Sequence, residues 1–198
     1  MKTEIKQQLK NLNIDWETDL NRMNFSDLRS YEFLRSSGFL NFDMKDKYQK
    51  VRLDTIDISN EYVYYKVEDI ALYSQDDGTS DLINFIGKKN KIIPPLYETA
   101  LEYCGETFET RQLYPIRRFD GHHRIFVSFF SGLKIIPIVV VERVKKFSFP
   151  IGKWNFERTD EIFIAKSKNG DHRIELDIRH AKIDKSMFSE NILVVRLT

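Results

Sequence analysis

The stretch from Lys134 to Val144 constrains the fold more than any other. It is β-branched and almost continuously apolar from Ile135 to Val141. At about seven residues the apolar run is too short for a core helix, and Pro137 would break one. A run of this kind reads as a strand buried on both faces. The chain must therefore supply covering layers on either side of a sheet. One cover precedes it directly. Arg124 to Phe130 reads as a helix with an apolar face of Ile125, Phe126, Phe129 and Phe130, closed by Gly132.

The rest of the chain can build those layers, because 41% of its 198 residues are hydrophobic and 13% aromatic. Residues 1–50 predict a helical extension. Ile5, Leu9 and Leu12 recur at near-helical spacing, as do Leu28, Tyr31, Phe33 and Leu34 behind a capping Ser26, with Gly38 closing. A polar connector, Asp43 to Lys50, follows. The alternative for this extension is a partner-binding arm. Val51 to Ile58 alternates as a strand, and Tyr62 to Val67 continues as strand or begins a helix. After a turn cluster at residues 74–80, Ser80 is expected to cap a helix with Leu82, Ile83, Phe85 and Ile86 on one face, ending at Gly87 or Asn90. Ile92 to Leu96 is extended by its prolines. Glu98 to Arg111 reads as a short helix with a polar turn at Gly105, and Gln112 to Phe119 as strand.

Past Pro150 the pattern alternates at Glu161–Lys166 and Arg173–Arg179 around an Asn169-Gly170 turn, with a last strand from Asn191 to Leu197. The fold class expected is α+β, in three parts: a helical extension (1–50), a central domain with a mixed sheet (51–149) and a small antiparallel β addition (150–198).

Charge and cysteine content narrow the setting. Lys and Arg number 31 against 30 Asp and Glu, a net charge of +1. That balance gives no global attraction to nucleic acid, so DNA is a partner the net charge does not favour. Cys104 is the only cysteine, which excludes an intrachain disulfide and a cysteine metal cluster. The polar start shows no secretory leader, and no apolar run approaches the roughly 20 residues of a membrane span. A cytoplasmic protein without membrane association is the expectation. Oligomeric state is left open.

The chemistry concentrates in Asp120-Gly121-His122-His123-Arg124, between a strand and a helix. A helix start presents backbone N–H groups and the positive end of its dipole to an anion. Gly121 lets the backbone approach a ligand. Arg124 can grip a phosphate with two parallel bonds, and its alternative is a structural ion pair with Asp120 or Glu142. His122 and His123 can donate to phosphate oxygens or shuttle protons. Asp120 can cap the helix, orient a histidine or hold a cation. No nucleophile is paired with a base here, so phosphate binding fits better than covalent hydrolysis. Adjacent histidines lie about 100° apart on a helix and rarely chelate one ion, so no metal site is expected from them.

Three blocks carry a resemblance. They are Leu82 to Ile86 with Asn90 to Leu96, then Asp120 to Arg124, then Gly132 to Val140. In this order they resemble the ParB/sulfiredoxin-like superfamily over roughly residues 51–144. The Asp-Gly-His-His-Arg form is similar to that of its free-serine kinases and of phage or mobile-element ParB-like proteins. The resemblance implies a ParB/sulfiredoxin-like mixed sheet with helices. It also implies a nucleotide-phosphate pocket formed by Gly121, His122, His123 and Arg124 with Pro94 and Pro95, taking ATP, ADP or CTP with Mg²⁺. His122 stands where sulfiredoxins carry their cysteine, which excludes that redox activity. Partition proteins continue into a helix-turn-helix, whereas this chain continues into β structure. The kinases place an acidic base upstream, and Glu68-Asp69 or Asp76-Asp77 are the candidates. The glutamates between Pro95 and Asp120 suggest an inserted helix over the pocket, or a solvated face.

The expectation is therefore a nucleotide-binding protein acting as a small-molecule kinase or nucleotide hydrolase, with Asp120, His122 and Glu68 as catalytic candidates. The alternative is a non-catalytic nucleotide-sensing or DNA-associated module. A nuclease is the least favoured, because the box offers one acid where two-metal chemistry wants several. Whether the protein is an enzyme is left open.

Overall fold

The computed structural model describes residues 3–10, 12–20, 22–23, 49–59, 77–105, 109–177, 179, 181–184 and 191–197. The second N-terminal helix (Ser26 to Gly38), the Tyr62–Val67 segment, Asp76 and the Glu68-Asp69 pair lie outside them. The fold class is α+β. The chain forms two compact units, Met1–Glu98 with Ile116–Val141, and Thr99–Pro115 with Glu142–Thr198. No helix among the described residues is long and apolar enough to cross a membrane.

The first unit contains α1 (Thr3–Lys10), β1 (Gln49–Asp57), α2 (Asp77–Gly87), β4 (Arg117–Asp120) and α3 (His122–Phe130). It also contains the beginnings of β2 (Leu96–Cys104) and β5 (Ile135–Pro150). β1 pairs with β5, and β4 pairs antiparallel with β2. The buried strand expected at 134–144 is β5, and it covers 16 residues. Lys145 and Lys146 hid its continuation, in which Phe147 and Phe149 are the buried positions.

α3 packs on two sides at once. Phe126 and Val127 share a core with Leu9 of α1, Ile83 and Ile86 of α2, and Ile92. Ile125 joins Ile58, Tyr97, Ile136, Ile138 and Val140 against the sheet. Burying such side chains stabilises by roughly 1.5–3 kcal/mol each. α2 begins at Asp77, not after Ser80, and the acid in its first turn suits the helix dipole. Its buried stripe is Thr79, Ile83 and Ile86, and Phe85 is 47% exposed, off the face where the sequence put it. The residue that turns the chain at its end is Lys89, at φ 63°. The N-terminal segment is tied in through backbone bonds from Ile92 N–H to Asp15 O (3.0 Å) and from Glu17 N–H to Ile92 O (2.9 Å).

The second unit holds the remainder of β2 and β5 with β3 (Glu109–Gln112), β9 (Ala181–Asp184) and β10 (Ile192–Leu197). β10 lies antiparallel between β5 and β9. Among the described residues of Glu98–Arg111 the expected helix is absent. β2 and β3 form an antiparallel pair there, with Glu102 opposite Arg111. Tyr97, Thr99 and Leu101 are buried at every second position, a period of two that the glutamates had masked. Among the described residues of that segment there is accordingly no inserted helix. The Gln112–Phe119 strand is also interrupted, because β3 ends at Gln112 and the Tyr114 carbonyl turns back to accept from Thr99 Oγ1 (2.6 Å) and Gln112 Nε2 (2.7 Å).

A three-stranded antiparallel sheet completes this unit: β6 (Trp154–Arg158), β7 (Ile162–Ser167) and β8 (Arg173–Asp177). Phe149 is the centre of its aromatic core, 5.0 Å from Trp154, 5.9 Å from Phe156 and 6.1 Å from Phe163 between ring centroids.

Candidate functional site

The Asp120–Arg124 corner lies in the first unit where β4 passes into α3. β4 is held in register by β2, with Asp120 opposite Leu96 and Arg118 opposite Tyr97, across an irregularity between Leu96 and Tyr97. Gly121 then adopts φ 101°, ψ 23° and is the N-cap of α3. Its carbonyl accepts the first helical bond, from Ile125 N–H at 3.0 Å. As a glycine, the N-cap makes no side-chain cap bond. The expected cap from Asp120 is thus not made, because that carboxylate turns to Arg124 one helical turn on.

Gly121 is required by its neighbour as well as by its backbone angle. A Cβ there would sit 2.7 Å from Pro95 Cβ and 2.8 Å from Pro95 Cα. Pro95 is itself fixed, its carbonyl accepting from Val139 N–H at 2.9 Å. The prolines are buried beneath the corner and brace it.

Arg124 makes the second brace. Its guanidinium is buried, with 9% of the side chain exposed. Nη1 donates to Ile93 O (2.8 Å) and Pro94 O (2.9 Å), and Nη2 donates to Asp120 Oδ2. Burial pushes its pKa down, and Asp120 opposes that shift through charge and hydrogen bond. Of the two roles read for Arg124, the structure displays the ion pair with Asp120. The same side chain satisfies the carbonyls that Pro94 and Pro95 keep out of any helix or strand ladder.

The histidines divide their work. His123 Nδ1 lies 3.0 Å from the hydroxyl of Thr79 on α2, a residue 1% exposed. This bond ties the start of α3 to the first turn of α2. His122 is half-buried. Burial lowers its pKa from the ordinary value, and the charge of Arg118 on β4 adds to the shift while Asp120 opposes it. Arg118 therefore belongs to the corner electrostatically, as does Tyr97, whose phenol is pushed up by burial and drawn down by Arg118.

The sequence box and Pro94-Pro95 are thus brought together, while Glu68 lies outside the described residues. Thr79 and Arg118 were not singled out from sequence. Arg117-Arg118, one residue ahead of the box, was the available signal for the second, and nothing in the turn cluster marked Thr79. Among the described residues no group of three or more His, Cys, Asp and Glu side chains could hold a metal ion. Compared with known proteins, the chain matches no protein-family model, no curated protein and no solved structure.

Proposed function

We propose that this protein binds a nucleotide through its phosphates at the start of α3. The observation that carries the reading is the left-handed N-cap Gly121, which has no side chain to place over the first helical turn. Asp120, the natural competitor for that turn, is drawn away by Arg124. What is left facing the ligand is the positive end of a helix, with His122 beside it and Arg118 close enough to shift that imidazole. Arg124, Pro94 and Pro95 hold the cradle in shape, and His123 fixes its orientation through Thr79. ATP, ADP and CTP with Mg²⁺ are the ligands that the family resemblance suggests.

Binding without catalysis is the form of this reading that the corner favours. Its one carboxylate, Asp120, neutralises a buried guanidinium and is not poised as a base. A kinase would have to draw its acid from elsewhere in the chain, with Glu68 the candidate. Nuclease chemistry would need further acids around the same point.

The test is calorimetry with ATP, ADP, CTP and GTP, each with and without Mg²⁺. Saturable binding of any of them that weakens in Arg118→Gln supports the proposal. A flat response across the panel would overturn it. ADP or phosphate release above the buffer rate would replace the sensing reading with the enzymatic one.

A further inference from the structure

Within the first unit, the N-terminal segment reaches the candidate site through the backbone. Past α1 the chain runs as a strap, residues 12–20, and its first half alternates. Leu12, Ile14 and Trp16 are half-buried, while Asn13 and Asp15 are exposed. That period of two belongs to an extended chain with one face on the core. Trp16 forms a parallel bridge with Ile92. Ile92 donates its N–H to Asp15 O and accepts the N–H of Glu17 on its own carbonyl, so the strap satisfies both backbone groups of that residue.

Ile92 opens the four residues on which the corner rests. The next two carbonyls, of Ile93 and Pro94, accept from Arg124 Nη1. Pro95 closes against Gly121 and accepts from Val139 N–H. One short run of chain is therefore bonded to the strap at one end and to the corner at the other. Pro94 and Pro95 have no N–H with which to bond elsewhere, so the run depends on these partners for its place. Side chains make the same connection, because α3 contributes to two core clusters and Trp16 packs against both. The strap is the looser side of this arrangement. Leu9 before it and Met23 after it are buried, whereas Leu12, Ile14, Trp16 and Leu20 are only half-buried. Segments with fewer buried contacts open at lower free energy than the core.

We infer that the strap is a positioning element of the corner. Docked, it holds residues 92–95 against Gly121 and Arg124 in the ligand-competent arrangement, and Trp16 is the positioning residue, acting through Ile92. Ligand and strap then stabilise each other, because coupling between two sites is reciprocal. The nature of the ligand rests on the nucleotide reading above, whereas the link between strap and corner does not.

The test is amide hydrogen exchange, read by NMR on the full-length protein. Glu17→Pro withdraws one bridge bond without touching the core side chains, and a proline keeps the residue before it extended. The amides of Ile92, Val139 and Ile125 bond to Asp15, Pro95 and Gly121. All three should exchange about tenfold faster or more in this variant, while Ile83 inside α2 keeps the parent rate. Trp16→Ala should act in the same way, and Trp16→Phe should recover most of the protection. Acceleration confined to Ile92, or equal at Ile83, would overturn the inference. With ADP and Mg²⁺ the Glu17 and Ile92 amides of the parent should exchange more slowly, and calorimetric affinity should be about tenfold lower in Glu17→Pro. Equal affinity in the two proteins would overturn the coupling. A parent that binds no nucleotide would overturn the nucleotide reading and not the strap, which the exchange rates of the free protein decide.

Discussion

Gly121 and Pro95 meet so closely that the missing Cβ of the glycine would lie 2.7 Å from the proline Cβ. The contact welds the start of α3 to the segment that carries Ile93 and Pro94. Gly121→Ala should therefore be penalised twice. A left-handed backbone costs an alanine roughly 1–2 kcal/mol, and forcing a methyl into a filled site costs about 1–3 kcal/mol. Urea unfolding should show a loss of roughly 2–5 kcal/mol. A loss under about 1 kcal/mol would mean that Pro95 yields easily.

Arg124 and Arg118 should part company on substitution. Arg124→Gln leaves Asp120 without its partner and withdraws the donor to two carbonyls. Removing one member of a buried pair costs about 3–5 kcal/mol, so this variant should lose stability before it loses any specific contact. Arg118→Gln should stay within roughly 0.5 kcal/mol of the parent and lower nucleotide affinity by about tenfold. Denaturation and calorimetry on the same two variants read both effects. A stable Arg124→Gln that binds nothing would return the phosphate grip to Arg124.

What was legible in the sequence is what local pattern decides. The run at Ile135–Val141, the α3 face and the alternation at β7 and β8 each announce themselves within a dozen residues. What escaped depends on partners far along the chain. Glu102 looks like a solvated helix residue until Lys146 and Arg111 stand beside it. Arg124 reads as a phosphate ligand until Ile93 and Pro94 present their carbonyls. The residues of the corner could be named from their order, whereas the division between those that brace and those that face a ligand is a matter of hydrogen-bond partners, which spacing does not encode.

Glu102 gives a pH prediction. Its side chain is 3% exposed, and Arg111 Nη2 (2.6 Å), Lys146 Nζ (2.9 Å) and the Ser148 hydroxyl reach it. Burial pushes its pKa up, but the three donors and the Lys146 charge outweigh burial and hold it at about 2, below the ordinary 4.5. A carboxyl depressed in the fold adds stability above its unfolded pKa and loses it as pH falls toward the folded value. The parent should accordingly lose up to about 3 kcal/mol between pH 4.5 and pH 2 from this residue alone. Glu102→Gln should be less stable at pH 7 and show a flatter acid limb. Parallel stability curves for the two proteins would remove Glu102 as the source.

His122 also has its pKa lowered in the fold, and ligand binding should reverse that shift. In the free fold its pKa is lowered, by burial first and by Arg118 next. The folded chain therefore takes up this proton less readily than the unfolded chain. Stability from His122 is complete above its ordinary 6.5 and declines as pH falls through that value toward the folded one. A phosphate beside the ring supplies the negative charge that burial denies it, so binding should raise the pKa and draw in a proton. Affinity for ADP should then strengthen as pH falls below 6.5, beyond any change due to the nucleotide's own titration. His122→Gln carries no such proton, and the difference between its pH profile and the parent's isolates the imidazole. Calorimetry in two buffers of unlike ionisation enthalpy should report proton uptake in the parent and none in His122→Gln. Equal uptake in both proteins would place the titrating group elsewhere and take His122 out of the phosphate site.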